Sequence, residues 1–201
     1  MPETTSPRVG RPRDRDVDAA LLEATARLVV ERGYGALTLQ AVADEAETSR
    51  PTIYRRYADR AELVMAVLID RFGLQPGGQD LGGLEAEMLA IQQHQRELFN
   101  EPVMSKALPG LLADLSSNPE AARRFQDRFL TPRRDSTASI MDRAVARGEI
   151  EPGTDPEWIC DLITGPMVMR ALMPSLGPID DELVRLTVRS ALDALGYRRG
   201  R

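Results

Sequence analysis

Between Leu37 and Leu63 the chain reads LTLQAVADEAETSRPTIYRRYADRAEL, a stretch that admits little besides two short helices joined by a tight turn. Thr38 is a good helix N-cap, and Leu39, Val42, Ala43 and Ala46 follow at helical spacing, so the first helix has one apolar face. Ala43 is small enough to let another helix cross closely. After a break at Glu47 and Thr48, Ser49 is placed to cap a second helix by accepting from the Thr52 amide. Pro51 then falls in the first turn, where its missing N–H has no intrahelical partner to lose. The second helix runs about two turns, to roughly Arg56. It turns Ser49, Arg50, Thr52, Arg55 and Arg56 outward and leaves Ile53 and Tyr57 to pack inward. An outer face of hydroxyls and guanidinium groups suits phosphate oxygens and base edges. The pattern is a helix-turn-helix whose recognition helix begins near Ser49.

These residues resemble the DNA-binding segment of the tetracycline-repressor (TetR) family, whose pattern is approximately Thr-Val-x-x-Ile-Ala-x-x-Ala-Gly-Val-Ser-x-Gly-Thr-Leu-Tyr-x-His-Phe-x-x-Lys-x-x-Leu. Thr38, Val42, Ala43, Ala46, Ser49, Thr52, Ile53, Tyr54, Tyr57, Arg60 and Leu63 fall at equal or similar positions, and the likeness spans about residues 16–71. Three positions depart from it. Glu47 stands at the usual turn glycine, Thr48 at the usual valine, and Pro51 at the second glycine. A non-glycine residue with positive φ costs about 1 kcal/mol, so a strained turn is expected at Glu47. The resemblance implies an all-α regulator that binds double-stranded operator DNA as a homodimer and answers to a small-molecule effector. It assigns base edges to Arg50 and Thr52. Phosphates go to Thr38, Tyr54, Arg55, Arg56 and Arg60, with Thr48, Ser49 and Pro51 completing the DNA-facing set.

A net charge of −5 looks wrong for such a partner until its distribution is read. Residues 1–60 hold 10 Arg and no Lys against 10 Asp plus Glu, and the remaining 16 basic and 21 acidic residues carry the whole −5. Local basic clusters, not the overall charge, must therefore meet phosphate. Few aromatics (4%) and no alternating β-branched run point to an all-α chain. The expected organisation is a flexible basic arm over 1–15, a helix-turn-helix domain over 16–60 and a ligand-binding and dimerisation domain over 61–201. Within the last, helices are expected at about Leu84–Asn100, Val103–Ser116 with an interruption near Pro109, and Pro119–Gly148 kinked at Pro132. Two more close the chain, Asp155–Met173 and Asp180–Leu195. The Gly-rich Leu74–Gly83 lacks a following Gly-Lys-Ser/Thr and reads as a loop.

The last helix carries apolar residues on two stripes, Leu183, Leu186 and Ala194 against Val184, Val188, Ala191, Leu192 and Leu195. One stripe is expected to cover its own domain and the other to meet a second copy, giving a dimer through the last two helices. A Met-rich interior is adaptable, and the expected ligand-lining set is Met88, Ile91, Met104, Leu108 and Phe125, continuing through Phe129, Met141, Trp158, Leu162 and Met167. His94 is weighed as a polar anchor against a surface imidazole, with the surface favoured.

One Cys, one His and no His-Glu-x-x-His, Cys-x-x-Cys or Gly-x-Ser-x-Gly argue against an enzyme, a metal or a cofactor. No run approaches the about 18 apolar residues that span a bilayer, and no signal peptide opens the chain, so a cytoplasmic protein is expected. The function expected is a ligand-responsive repressor on a pseudo-palindromic operator. A same-fold regulator controlled by a partner protein or by no ligand is the alternative, and a helical enzyme is the remote one.

Overall fold

The computed structural model describes residues 12–73 and 80–197, and every regular element among them is helical. Helix α1 (Pro12–Arg32) starts four residues before the expected Asp16, so the end of the assumed arm belongs to it; residues 1–11 of that arm lie outside the described residues. Gly33, at φ 77°, ends α1, and a 3-10 turn over Tyr34–Ala36 leads into α2 (Leu39–Glu45). Thr38 caps α2 as expected, accepting from the Ala41 amide at 3.0 Å. The turn that follows contains Glu47 at φ 50°, the one positive-φ residue other than glycine among those described. That is the strain anticipated where the related pattern has glycine.

Helix α3 (Arg50–Arg56) buries only Ile53. Its start departs from expectation: the Ser49 hydroxyl does not take the Thr52 amide but shares a 2.7 Å hydrogen bond with the Thr52 hydroxyl, while the amide donates to the Ser49 carbonyl at 2.9 Å. Helix α4 (Arg60–Phe72) is capped by Asp59, which accepts from the Glu62 amide at 2.9 Å.

The rest of the chain forms α5 (Leu84–Asn100), α6 (Pro102–Ser117), α7 (Pro119–Phe125), α8 (Thr131–Ala146), α9 (Pro156–Leu172) and α10 (Asp181–Ala194). Helix α6 passes through Pro109 and Gly110 without the expected interruption. The long helix expected over 119–148 is instead split by one π-helical turn over Gln126–Leu130, with Pro132 in the first turn of α8. Proline lacks an N–H and its ring crowds the carbonyl four residues back, so a locally widened turn removes the conflict that a kink would otherwise carry. Of the Gly-rich stretch, residues 74–79 lie outside the described residues and 80–83 form irregular chain ahead of α5.

Two apolar clusters hold the helices together. The first joins Leu21 of α1, Val42 of α2, Ile53 of α3 and Leu63 and Leu68 of α4 to Leu108 and Leu111 of α6. The second packs Leu84 and Met88 of α5 with Ile140 and Met141 of α8, Ile159 of α9 and Val188 of α10. The first cluster crosses the expected boundary at residue 60, so the helix-turn-helix unit and α6 share one interior. Helix α10 also differs from its reading. Val184, Val188, Ala191 and Leu195 are buried in the protomer's own core, while Leu186 stands 47% exposed.

Gly110 is where α6 meets the helix-turn-helix unit most closely, since a Cβ there would lie 2.4 Å from Cδ1 of the buried Tyr34 ring. In an open helix Gly→Ala would stabilise by up to about 1 kcal/mol. Here the overlap should prevail, and Gly110→Ala is expected to lower unfolding stability by about 1–3 kcal/mol in urea titrations. An unchanged or raised midpoint would mean that Tyr34 yields without penalty.

Candidate nucleic-acid interface and internal cavity

The α2–α3 unit presents a polar ridge. Thr38, Ser49, Arg50, Pro51, Tyr54 and Arg55 are exposed, and Thr48 and Thr52 are half-buried beside them. Tyr54 is 59% exposed, too open for a core residue, and its ring stands next to Arg55 in sequence on the outer side of α3. Arg50 and Arg55 have no carboxylate partner among the described residues, which leaves both guanidinium groups available to phosphate or base oxygens.

Two arginines of the expected DNA-facing set are engaged within the protein. Arg56 turns back to Asp18 of α1, Nε donating at 2.6 Å, and also donates to the Thr52 carbonyl. Arg60 forms a two-pronged pair with Asp114 of α6, at 2.6 and 2.8 Å, and its guanidinium lies 4.6 Å from the centre of the Tyr34 ring. The Tyr34 hydroxyl donates to the same Asp114 carboxylate at 2.8 Å. The Arg60 hydrogen bonds hold the Asp114 carboxyl below the usual carboxylate range, and burial, then Asp114, push the Tyr34 phenol up. Sequence spacing placed Arg60 correctly at the start of α4 but said nothing of Asp114, 54 residues away.

The same end of α4 is tied twice more to the second half of the chain. Arg124 of α7 pairs with the capping residue Asp59, and Arg128 of the π-helical turn pairs with Glu62. At the other end Arg71 pairs with Glu101, which caps α6 by accepting from the Val103 and Met104 amides. Helix α4 is therefore gripped at both ends by the helices that form the interior cavity.

That cavity has a volume of about 490 Å³ and lies among α5, α6, α7 with its π-helical turn, α8 and α9. Five of the expected lining residues, Ile91, Met104, Leu108, Phe125 and Phe129, form part of its wall. The other five do not. Met88 and Met141 are packed in the second core cluster, Leu162 leans on it, and Met167 is fully buried in the first. Trp158 is 58% exposed on the outside of α9. The reason is angular: α9 turns Cys160, Asp161, Thr164, Gly165, Val168 and Met169 to the cavity, a stripe that puts Trp158 and Met167 on other faces. Apolar character alone does not say which stripe faces a void.

The polar part of the wall was largely missed. Gln95, Arg133, Arg134, Thr137, Asp161 and Thr164 line the cavity, as does His94, which sequence reasoning had weighted toward the surface. The His94 ring meets Phe72 edge-on at 5.8 Å, and its Nε2 is buried without a partner. Burial and the nearby Arg133 charge hold this imidazole below its ordinary pKa. Cys160 is a buried thiol pushed up by desolvation, the opposite of a reactive thiolate. Among the described residues no group of three or more His, Cys, Asp or Glu is placed to hold a metal, and no helix is long and apolar enough to cross a membrane.

Comparison with known proteins finds relatives that match along almost the whole chain. Residues 21–67 match the family model for bacterial regulatory proteins of the tetR family, and residues 79–191 match the tetracyclin repressor-like C-terminal domain. An uncharacterised HTH-type transcriptional regulator of Mycobacterium bovis is 32% identical over 98% of this chain and 94% of its own length. The DNA-binding transcriptional repressor TetR of Mycobacteroides abscessus is 30% identical over 87% of this chain and 90% of its own. The crystal structure of the TetR family transcription regulator SCO0332 superposes with a TM-score of 0.69 at 23% identity, covering 89% of this chain and 97% of that one. These relatives are regulators of transcription, not enzymes. The exposed ridge on α3, the helical second half and these matches lead to one assignment: the chain belongs to the TetR family of DNA-binding transcriptional regulators.

Proposed function

We propose that this regulator is a cytoplasmic, ligand-responsive repressor that binds a pseudo-palindromic operator as a homodimer. One observation carries the reading: α6 lines the cavity with Met104, Leu108 and Leu112 and, two residues after Leu112, holds Arg60 at the head of α4 through Asp114. A molecule too large for the cavity, or shaped differently from it, displaces α6, α7 or the π-helical turn. Each of these is joined by an ion pair to the first three residues of α4 or its cap, so the displacement reaches the base of the recognition helix. The effector thereby selects between two placements of α3. The sign of regulation follows the Mycobacteroides abscessus relative, which is a repressor. A regulator controlled only by a partner protein fits less well, because 490 Å³ of apolar-walled interior has no use in it.

On DNA, Arg50 and Thr52 read base edges while Thr38, Tyr54 and Arg55 hold phosphates, with Thr48, Ser49 and Pro51 at the contact. Duplexes selected from a random pool, compared with scrambled ones across salt concentrations, test this division. Arg50→Ala should relax one operator position by about 1–3 kcal/mol and leave scrambled DNA nearly unaffected. Equal losses on both duplexes would remove Arg50 from base readout.

Arg60 serves the inter-helix tie. Arg60→Ala should leave the salt slope of operator binding unchanged and show a coupling with Asp114→Ala of about 1 kcal/mol in an unfolding double-mutant cycle, modest because both side chains are about a third exposed to water. A slope lower by about one charge would return Arg60 to a phosphate.

The dimer uses the outer faces of α9 and α10, where Trp158 and Leu186 are exposed. A two-fold pairing of two helices from each copy would cover these large apolar side chains. Operator binding then requires that this pairing hold two α3 helices about 34 Å apart, one turn of B-DNA. Trp158→Glu with Leu186→Glu should give folded monomers by light scattering and abolish specific operator binding. Val188→Glu should unfold the protomer instead, since Val188 is 5% exposed within its own core. A dimer that persists in the double variant would place the interface elsewhere.

A further inference from the structure

The charges around the cavity do not balance. Arg134 and Asp161 both line it and pair with each other at 2.5 Å, and Glu157 also pairs with Arg134, so this guanidinium has its countercharges within the protein and leaves no positive charge over for a ligand. Arg133 is different. No carboxylate among the described residues pairs with it. Its guanidinium lies 3.7 Å from the centre of the Phe129 ring, Nη1 donates to the Phe129 carbonyl at 2.9 Å and Nη2 to the Gly73 carbonyl at 2.8 Å. Its Nε is buried with no acceptor. Neutral carbonyls satisfy hydrogens without cancelling the charge, and burial pulls this arginine down to about 10, still cationic at neutral pH. Beside it, the buried Nε2 of His94 has no partner either. A neutral imidazole protonated on Nε2 is a donor, and the apolar wall beyond is built from Leu98, Met104, Leu108, Leu112 and Phe125.

We propose that the cavity takes an amphiphile with a single anionic head, of the carboxylate class, its head at Arg133 and His94 and its apolar body along the α6 and α7 side chains. This rests on the cavity being the effector site. An anion supplies the countercharge that the protein does not give Arg133, through a charge-assisted pairing stronger than a hydrogen bond between neutral groups. A cationic amphiphile would bring like charge to Arg133, and a neutral one would leave it uncompensated.

Calorimetric titration of the full chain with head-group-matched probes tests the assignment: decanoate, 1-decanol and decylamine, and 2-naphthylacetate against 2-naphthaleneethanol. The wild-type protein should bind each acid at least tenfold more tightly than its alcohol or amine. Arg133→Gln should lose at least tenfold for the acids and stay within threefold for the alcohols, the size of one charge-assisted hydrogen bond. Arg133→Lys keeps the charge and should recover most of the acid affinity, which separates loss of the anion seat from loss of fold. Leu108→Trp should weaken every probe by filling the body's place. Alcohols that bind as tightly as acids, yet are excluded by Leu108→Trp, would overturn the anionic head and leave the cavity as a binding site for uncharged ligands. Acid binding that Leu108→Trp does not touch would overturn both, as would an absence of binding by every probe.

Discussion

The packing of α6 against Tyr34 is the contact on which the rest of the structure depends. Tyr34 belongs to the turn after α1, its ring seated where only a glycine at 110 leaves room and its hydroxyl bound to Asp114 one turn further along α6. Asp114 at the same time grips Arg60, so one carboxylate fixes the start of α4 and the turn before α2 together. The surrounding interior is apolar and continuous, with α1, α2, α3 and α4 sharing a cluster with α6. A close-packed interior transmits displacement instead of absorbing it. For that reason the helix-turn-helix unit and α6 form one packed body and not two beads on a linker.

The π-helical turn at Gln126–Leu130 has a local cause and a distant effect. Its cause is Pro132, which cannot continue an ordinary helical hydrogen-bond ladder. Its effect is to turn Phe129 and Leu130 toward the cavity while Arg128, in the same turn, reaches Glu62 on α4. The widened turn thus touches both the ligand space and the helix that carries α3. The cavity wall is thus joined to α4 by two short connections, one through this turn and one through α6.

The cavity itself is a compromise between packing and charge. Phe125 and Phe129 stack at 4.9 Å and Arg133 lies on the second ring, so a cation is kept inside an aromatic-walled space by its own side-chain stem and two backbone carbonyls. A partly buried cation without a countercharge is poor for stability. The adjacent Arg134 with Glu157 and Asp161 shows the contrast, since there the countercharges are built into the protein.

The local patterns of the sequence were sufficient for the helices of the helix-turn-helix and for the exposure of the polar side chains on α3. Thr38, Ile53, Pro51 and the strained Glu47 sit as their spacing requires, because capping, burial of one face and turn geometry are decided within a few residues. The same local logic failed where partners come from far along the chain. Nothing near Arg60 announces Asp114, nothing near Arg56 announces Asp18, and both arginines were read as free for DNA. The two stripes of α10 were seen, but which of them meets the protomer's own core was settled by the crossing of α5 and α9, which put Val188 inside and left Leu186 out. The wall of the cavity divides in the same way. Apolar residue type identified Leu108 and Phe129, whereas Trp158 and Met167 were excluded, and Arg133 admitted, by the rotation of α8 and α9 about their axes. Periodicity determines that a helix has faces; only the packing of all the helices together decides what each face meets.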